Sequence, residues 1–215
     1  MNHSDLYKDK SIEYFSNTRK EIIELINRYN CNILELGCGT GNTLIELKKC
    51  GKAKYVAGID ILDVGQSEKL DKFFPVDIEN EEIYIPDNFF DIIICADVLE
   101  HLKNPWAVLG KLKKYLKTDG FIIASLPNIR EFKTLYNIVI RGDFKYENAG
   151  VLDKTHLRFF CKKNIICLFS LTGYEIISIS PNFSASSKRK LLNKFFMGIF
   201  EEFLVEQYIV IANKK

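Results

Sequence analysis

The sequence predicts a doubly wound α/β fold, a mostly parallel sheet with helices on both faces. Three observations carry this. Strand-like and helix-like segments alternate from residue 31 to 126. A glycine-rich turn, Gly37-Cys-Gly-Thr-Gly41, joins the first strand to the helix after it. Asp91-Ile-Ile-Ile-Cys95 is a continuous apolar run, the pattern of a strand buried on both faces. In one sheet, such alternation implies right-handed crossovers.

Between Ile12 and Tyr29, the side chains of Ile22, Leu25, Ile26 and Tyr29 recur at helical spacing. Ile33-Leu-Glu-Leu36 reads as the first strand, and a helix follows the glycine turn until Gly51 closes it. Lys54 to Asp60 reads as a second strand and Ser67 to Phe74 as a short helix. Asn104-Pro105 opens another helix, with Asn as N-cap and Pro at the first helical position. Val108, Leu109, Leu112 and Leu116 form its inner face, Gly120 ends it, and Phe121 to Ser125 is the next strand. After an irregular stretch come a helix from Lys162 to Leu171 and strands from Tyr174 to Ser180 and Val205 to Ala212. The last two suit an antiparallel hairpin edge.

The chain has 215 residues, 47% hydrophobic and 27% charged, as expected for one large domain with a substantial core. A net charge of +2 gives no field that favours nucleic acid or an anionic membrane. Six cysteines lie at 31, 38, 50, 95, 161 and 167, with no CxxC pair and no histidine at a metal-ligand spacing from them. The expectation is reduced thiols in a cytoplasmic protein, with no metal. The opening MNHSDLYKDK is polar, without a signal-peptide pattern. FFMGIFEEFL is too short to span a bilayer and is expected to pack on the core or on another subunit, which leaves a homodimer open. Lys188-Arg189-Lys190 reads as a solvated helix start, with phosphate binding as the alternative.

Gly37, Gly39 and Gly41 follow a strand and precede a helix, the context that gives a glycine motif meaning. Lacking Cβ atoms, they let the backbone turn tightly and touch a ligand. The spacing is neither GxGxxG nor that of a phosphate loop. Asp60 ends the second strand about 20 residues on, where an acid can accept both hydroxyls of a ribose. Ile61 and Ile78 would then flank a base, with Asp77 at an adenine amino group or as a turn former.

As a set, ELGCGTGN, GID60, VD77, FDIIICADVLEHLKNP and LKTDGFIIASLPN resemble a class I S-adenosylmethionine-dependent methyltransferase, over residues 31 to 128. That resemblance implies a Rossmann-like seven-stranded sheet, mostly parallel, with an antiparallel C-terminal edge strand. It implies S-adenosylmethionine as cofactor and S-adenosylhomocysteine as product. It places Glu35, Cys38, Asn42, Ala96, Asp97 and Val98 with the glycines and Asp60 in the cofactor site. The expected organisation is one domain: an N-terminal helical segment (1–30), a cofactor-binding core (31–126), an acceptor lid (127–160) and a C-terminal completion of the sheet (161–215).

Methyl transfer to a hydroxyl needs the nucleophile in line with the methyl, and a base helps. His3 falls in a tail. His101 follows the fourth strand at the ligand-bearing edge, either supporting its loop or contacting the active site. His156 is the candidate base, or else pins the lid together with Arg158, and Asp153 either orients it or forms a turn. Residues 126 to 174 also resemble methyltransferases of surface-polysaccharide and glycan biosynthesis, which implies a sugar hydroxyl as acceptor. Phe132, Tyr136, Phe144 and Tyr146 at the presumed mouth suit a sugar, a flat acceptor or lid packing. The alternatives are a quinone-like or other aromatic acceptor, or a non-catalytic nucleoside-binding protein on the same fold. No N/DPPY-like motif and no Tyr-Lys pair with GxGxxG is present, against amide methylation and nicotinamide chemistry.

Overall fold

The computed structural model describes residues 16–66, 68–183 and 187–215. Along the chain run α1 (Lys20–Leu25), β1 (Cys31–Leu36), α2 (Asn42–Lys49), β2 (Ala53–Asp60), β3 (Lys72–Pro75), β4 (Phe90–Ala96), a 3₁₀ turn (Leu99–His101) and α3 (Pro105–Tyr115). There follow β5 (Leu116–Pro127), α4 (Phe132–Val139), α5 (Lys162–Leu171), β6 (Tyr174–Asn182), α6 (Ser187–Phe195), α7 (Glu201–Leu204) and β7 (Gln207–Lys214).

The strands form one seven-stranded sheet in the order β3-β2-β1-β4-β5-β7-β6. β1, β2, β3, β4 and β5 pair in parallel, while β7 lies antiparallel to both β5 and β6. The expected hairpin is therefore present, and β6 takes the outer edge because β7 is inserted between it and β5.

β1 is buried at every position, as is β4 except at Asp91. Successive side chains of a strand point to opposite faces. Ile93 and Cys95 join the core with Leu109, Leu112, Leu168 and Phe169, while Ile92 and Ile94 join the core with Ile22, Leu44 and Leu47. A continuous apolar run is the signature of this double burial. The order of pairing reverses between β1 and β4, where a crevice opens at the carboxyl ends.

The capping expectations hold. Asn104 accepts from the Ala107 N–H at 3.0 Å with Pro105 beginning the helix, and Gly51, at φ +72°, follows the end of α2. Other expectations are corrected. Lys72–Pro75 is a strand, with Ser67 outside the described residues. Phe73 and Phe74 pack on opposite sides of the sheet, which helical spacing does not allow. α3 stops at Tyr115, and Gly120 lies inside β5, where a Cβ would meet the Asp91 carbonyl oxygen at 2.9 Å. That glycine serves strand approach, not helix termination. α1 spans six residues, and Ile12 to Phe15 of the longer expected helix, like His3, lie outside the described residues. The FFMGIF run does not pack on the core: Phe195 is 79%, Met197 86% and Ile199 71% exposed.

Gly58 of β2 has a tight neighbourhood, since a Cβ there would lie 2.5 Å from Cys38 Sγ and 2.8 Å from Leu70 Cδ1. Gly58→Ala should therefore lower unfolding stability by about 1–3 kcal/mol, through overpacking beneath the glycine turn. Urea denaturation should show a lower midpoint at unchanged m-value.

Candidate functional site

A cavity of about 890 Å³ opens at the carboxyl ends of β1, β2 and β4. Its size lies within the range that holds a small ligand or cofactor. Glu35, Gly37, Cys38, Gly39, Asp60, Ile61, Asp77, Ile78, Ala96, Asp97, Val98, His101 and His156 all line it. Gly41 and Asn42 do not: Gly41 makes the left-handed turn (φ +74°) into α2, and Asn42 Nδ2 donates to the Ser16 carbonyl at 2.9 Å. Both shape the loop from behind.

The glycine loop is held by backbone and by acid. The Gly37 N–H donates to the Ile59 carbonyl at 2.8 Å, and the Gly39 N–H donates to Asp60 Oδ2 at 2.9 Å. A Cβ on Gly37, at φ +67°, would press on Val98 Cγ2 at 3.1 Å, so the loop is sealed against the next loop. Asp60 Oδ1 also accepts from the Leu62 N–H at 3.0 Å. A carboxylate has about four acceptor sites, so Asp60 can order the loop and still accept from a ribose hydroxyl. Asp77 is engaged in its own turn, accepting from the Glu79 N–H at 3.0 Å and Asn80 Nδ2 at 2.7 Å. Cys38 packs its thiol against Gly58.

Glu35 is 3% exposed, and its Oε2 has no hydrogen-bond partner among the described residues. Burial pushes its carboxyl up to about 8; the Arg19 charge opposes this and the Asp60 charge adds to it. A buried acid needs a partner, and a cationic amino group entering the cavity would supply one. The loop, Asp60, Glu35 and the apolar Ile78 thus fit a ligand with a ribose, a base and an amino-acid tail.

Asp97, with a left-handed backbone (φ +51°), is a crossroads. Arg19 Nη1 lies 2.6 Å from its Oδ2. Its Oδ1 accepts from Ser125 Oγ at 2.9 Å and from Gln207 Nε2. The 3₁₀ turn follows. Its Glu100 carbonyl accepts from the Leu157 and Arg158 N–H groups, both at 2.9 Å, and Arg158 Nε donates to the Lys103 carbonyl at 3.1 Å. This brings His156 beside His101, ring centroids 4.7 Å apart. His101 Nδ1 lies 3.1 Å from the Thr155 carbonyl, and His156 Nδ1 lies 2.9 Å from the Val151 carbonyl. A carbonyl only accepts, so each ring carries a proton on Nδ1, which leaves Nε2 as its second site. Asp153 Oδ1 accepts from the Thr155 N–H at 2.9 Å and Oγ at 2.7 Å, the pattern of a turn.

The stretch 127–160 covers the cavity through polar groups, including Glu131, Lys133, Asn137 and Glu147. Phe132, Tyr136, Phe144 and Tyr146 are not among the lining residues; Phe132 stacks on Tyr136 at 6.2 Å, and Phe144 meets Tyr146 and Phe159 edge-on. All four remain partly exposed, away from the cavity lining. Arg189 reaches the rim from α6 and pairs with Glu131 and Glu206, each at 2.7 Å. Arg19, Glu100, Glu131, Arg189 and Gln207 also line the cavity but escape a reading of the sequence. Only Glu100 leaves a signal there, as an acid directly before a histidine in an apolar segment.

The raised Glu35 pKa has a pH consequence. The folded protein keeps this proton to about pH 8, whereas the unfolded chain releases it near 4.5. Its contribution is full below about pH 4.5 and falls as pH rises through 8, at up to about 1.4 kcal/mol per pH unit. Glu35→Gln should remove this part of the slope, so its stability relative to the wild type should rise between pH 5 and pH 8 in urea melts of the ligand-free protein.

A family model described as a methyltransferase domain matches residues 8–179. An uncharacterized protein of Methanocaldococcus jannaschii is 27% identical, over 94% of this chain and 84% of its own. A ubiquinone biosynthesis O-methyltransferase of Glaesserella parasuis is 25% identical, over 70% of this chain and 71% of its own. A crystal structure of a SAM-dependent methyltransferase from Archaeoglobus fulgidus shares the fold, with TM-score 0.65 and 18% identity over 99% of this chain and all of that one. The chain belongs to this methyltransferase-domain family, and it is an S-adenosylmethionine-dependent methyltransferase.

Proposed function

We propose that the enzyme methylates a hydroxyl of a small polar acceptor, a sugar or glycan intermediate. The observation that carries this reading is the polar face of residues 127–160: Glu131, Lys133, Asn137, Glu147 and Asp153 line the acceptor side, while the aromatic side chains pack outside it. Carboxylates and amides are hydrogen-bonding partners for a polyol. A quinone-like aromatic acceptor is the second reading, favoured by the similarity to ubiquinone biosynthesis O-methyltransferases.

Glu35, Asp60, Ile61, Ile78 and the backbone of the glycine loop hold the cofactor in this reading, with Asp97 and Val98 closing the tail end. The bound sulfonium supplies the electrophilic methyl. The chain's own task is to hold the acceptor oxygen in line, to exclude water and to take up a proton. Residues 127–160 form the cover. His156 Nε2 is the proton acceptor when protein groups act alone, with His101 Nε2 beside it to accept a second hydrogen bond.

Calorimetry should find micromolar binding of S-adenosylhomocysteine and none of NADH or ATP. Asp60→Ala should weaken that binding at least about tenfold, the value of one good hydrogen-bonded contact. His156→Ala should bind S-adenosylhomocysteine as the wild type does but lose about 10²–10⁴ in turnover with the cognate acceptor. Unchanged turnover would return His156 to a purely structural role.

A further inference from the structure

Among the described residues, Glu100 has both carboxylate oxygens buried without a hydrogen bond. It is 1% exposed. His156 Nε2 lies 3.9 Å from its Oε1. A buried carboxylate without hydrogen bonds is costly, and proteins keep such groups where a cation, metal or reacting partner compensates them. The neighbouring acid, Asp97, is already engaged with Arg19, Ser125 and Gln207. It gives Glu100 no relief.

Three ligand atoms converge here. One atom each from Glu100, His101 and His156 lies within 4.8 Å of the others, the one such group among the described residues. His101 is 5% and His156 9% exposed. Each imidazole gives its Nδ1 proton to a backbone carbonyl, Thr155 for one and Val151 for the other. That is the outer arrangement of metal-binding histidines: a carbonyl fixes the tautomer and aims the Nε2 lone pair inward. Glu100 and His101 are held by the 3₁₀ turn, and His156 by the loop that bonds back to the Glu100 carbonyl. The three donors are therefore fixed to one another by backbone as well as by side-chain contacts.

We propose that Glu100, His101 and His156 bind a divalent first-row metal ion, with the remaining coordination positions directed into the cavity. One carboxylate and two neutral imidazoles select manganese, iron, cobalt or zinc over the all-oxygen preference of calcium. The ligand atoms, within 4.8 Å of one another, must draw in by roughly 0.5–1 Å each to reach bonds of about 2.0–2.2 Å. The open positions suit an acceptor with two adjacent oxygens. The inference rests on the methyl-transfer reading and deepens it. With the ion bound, the His156 lone pair is committed to the metal. The ion then acidifies the acceptor hydroxyl, whose proton passes to water at the cavity mouth.

Manganese is the probe of choice, because the exposed thiols of Cys50 and Cys167 favour softer metals. Chelator-treated full-length protein should bind one Mn²⁺ per chain with a micromolar Kd, followed by electron paramagnetic resonance. Glu100→Gln and His156→Asn should each weaken Mn²⁺ binding by about 10- to 100-fold. Both variants should still bind S-adenosylhomocysteine within about twofold of the wild type, which reports an intact fold. Absence of saturable Mn²⁺ binding by the wild type below millimolar concentration overturns the metal site, as does equal affinity in the two variants. Loss of S-adenosylhomocysteine binding by the wild type would instead overturn the methyltransferase assignment, whatever the manganese result.

Discussion

The site depends on the network around Asp97. A residue with a left-handed backbone at the end of β4 gathers Arg19 from the segment before α1, Ser125 from β5 and Gln207 from β7. These groups lie far apart in sequence. Their convergence decides where the loop after β4 goes, and with it the 3₁₀ turn that carries Glu100 and His101. The same Arg19 charge opposes the rise in the Glu35 pKa. One partly buried ion pair therefore organises the loop and moderates the electrostatics of the first strand. Such a pair is worth more for the geometry it imposes than for its own stability.

Around this network the cavity is assembled from two halves with different physics. The β1–β4 half relies on backbone approach: glycines without Cβ atoms, N–H groups turned on carbonyls, and one carboxylate bracing the loop. The other half relies on side chains that hold a cover in place. Asn128 Nδ2 donates to the Glu202 and Val205 carbonyls at 2.8 and 2.9 Å, and Arg189 spans Glu131 and Glu206. Asp153 and Thr155 fold the loop that delivers His156.

This division explains what the sequence discloses. Gly37, Gly39 and Asp60 are legible because a strand, a turn and a helix impose local demands that few residues meet. The apolar run of β4 is legible because burial on both faces leaves no alternation. Gly120 misleads, since its need for space comes from Asp91 of another strand, not from a helix end. Phe144 misleads in the same way, because one of its ring partners, Phe159, comes from a distant part of the chain. Arg189 looks like one cation in a basic cluster until α6 delivers it to Glu131. His101 and His156 are each visible as single candidates. Their pairing, 55 residues apart and beside Glu100, is a property of the folded chain alone.

The insertion of β7 between β5 and β6 has a consequence for the order in which the molecule can be built. β6 precedes β7 in the chain yet reaches the sheet only through it. During synthesis the outer strand emerges first and must wait, with its ladder edge unmatched, for the inner strand to arrive. Completion of the sheet is thus a late, non-local event, and such pairings are slow. Gln207, which begins β7, is also a partner of Asp97. The last seam of the sheet to close is therefore the one that fixes the loop after β4, so a nascent chain acquires most of its sheet before it settles the mouth of its cavity.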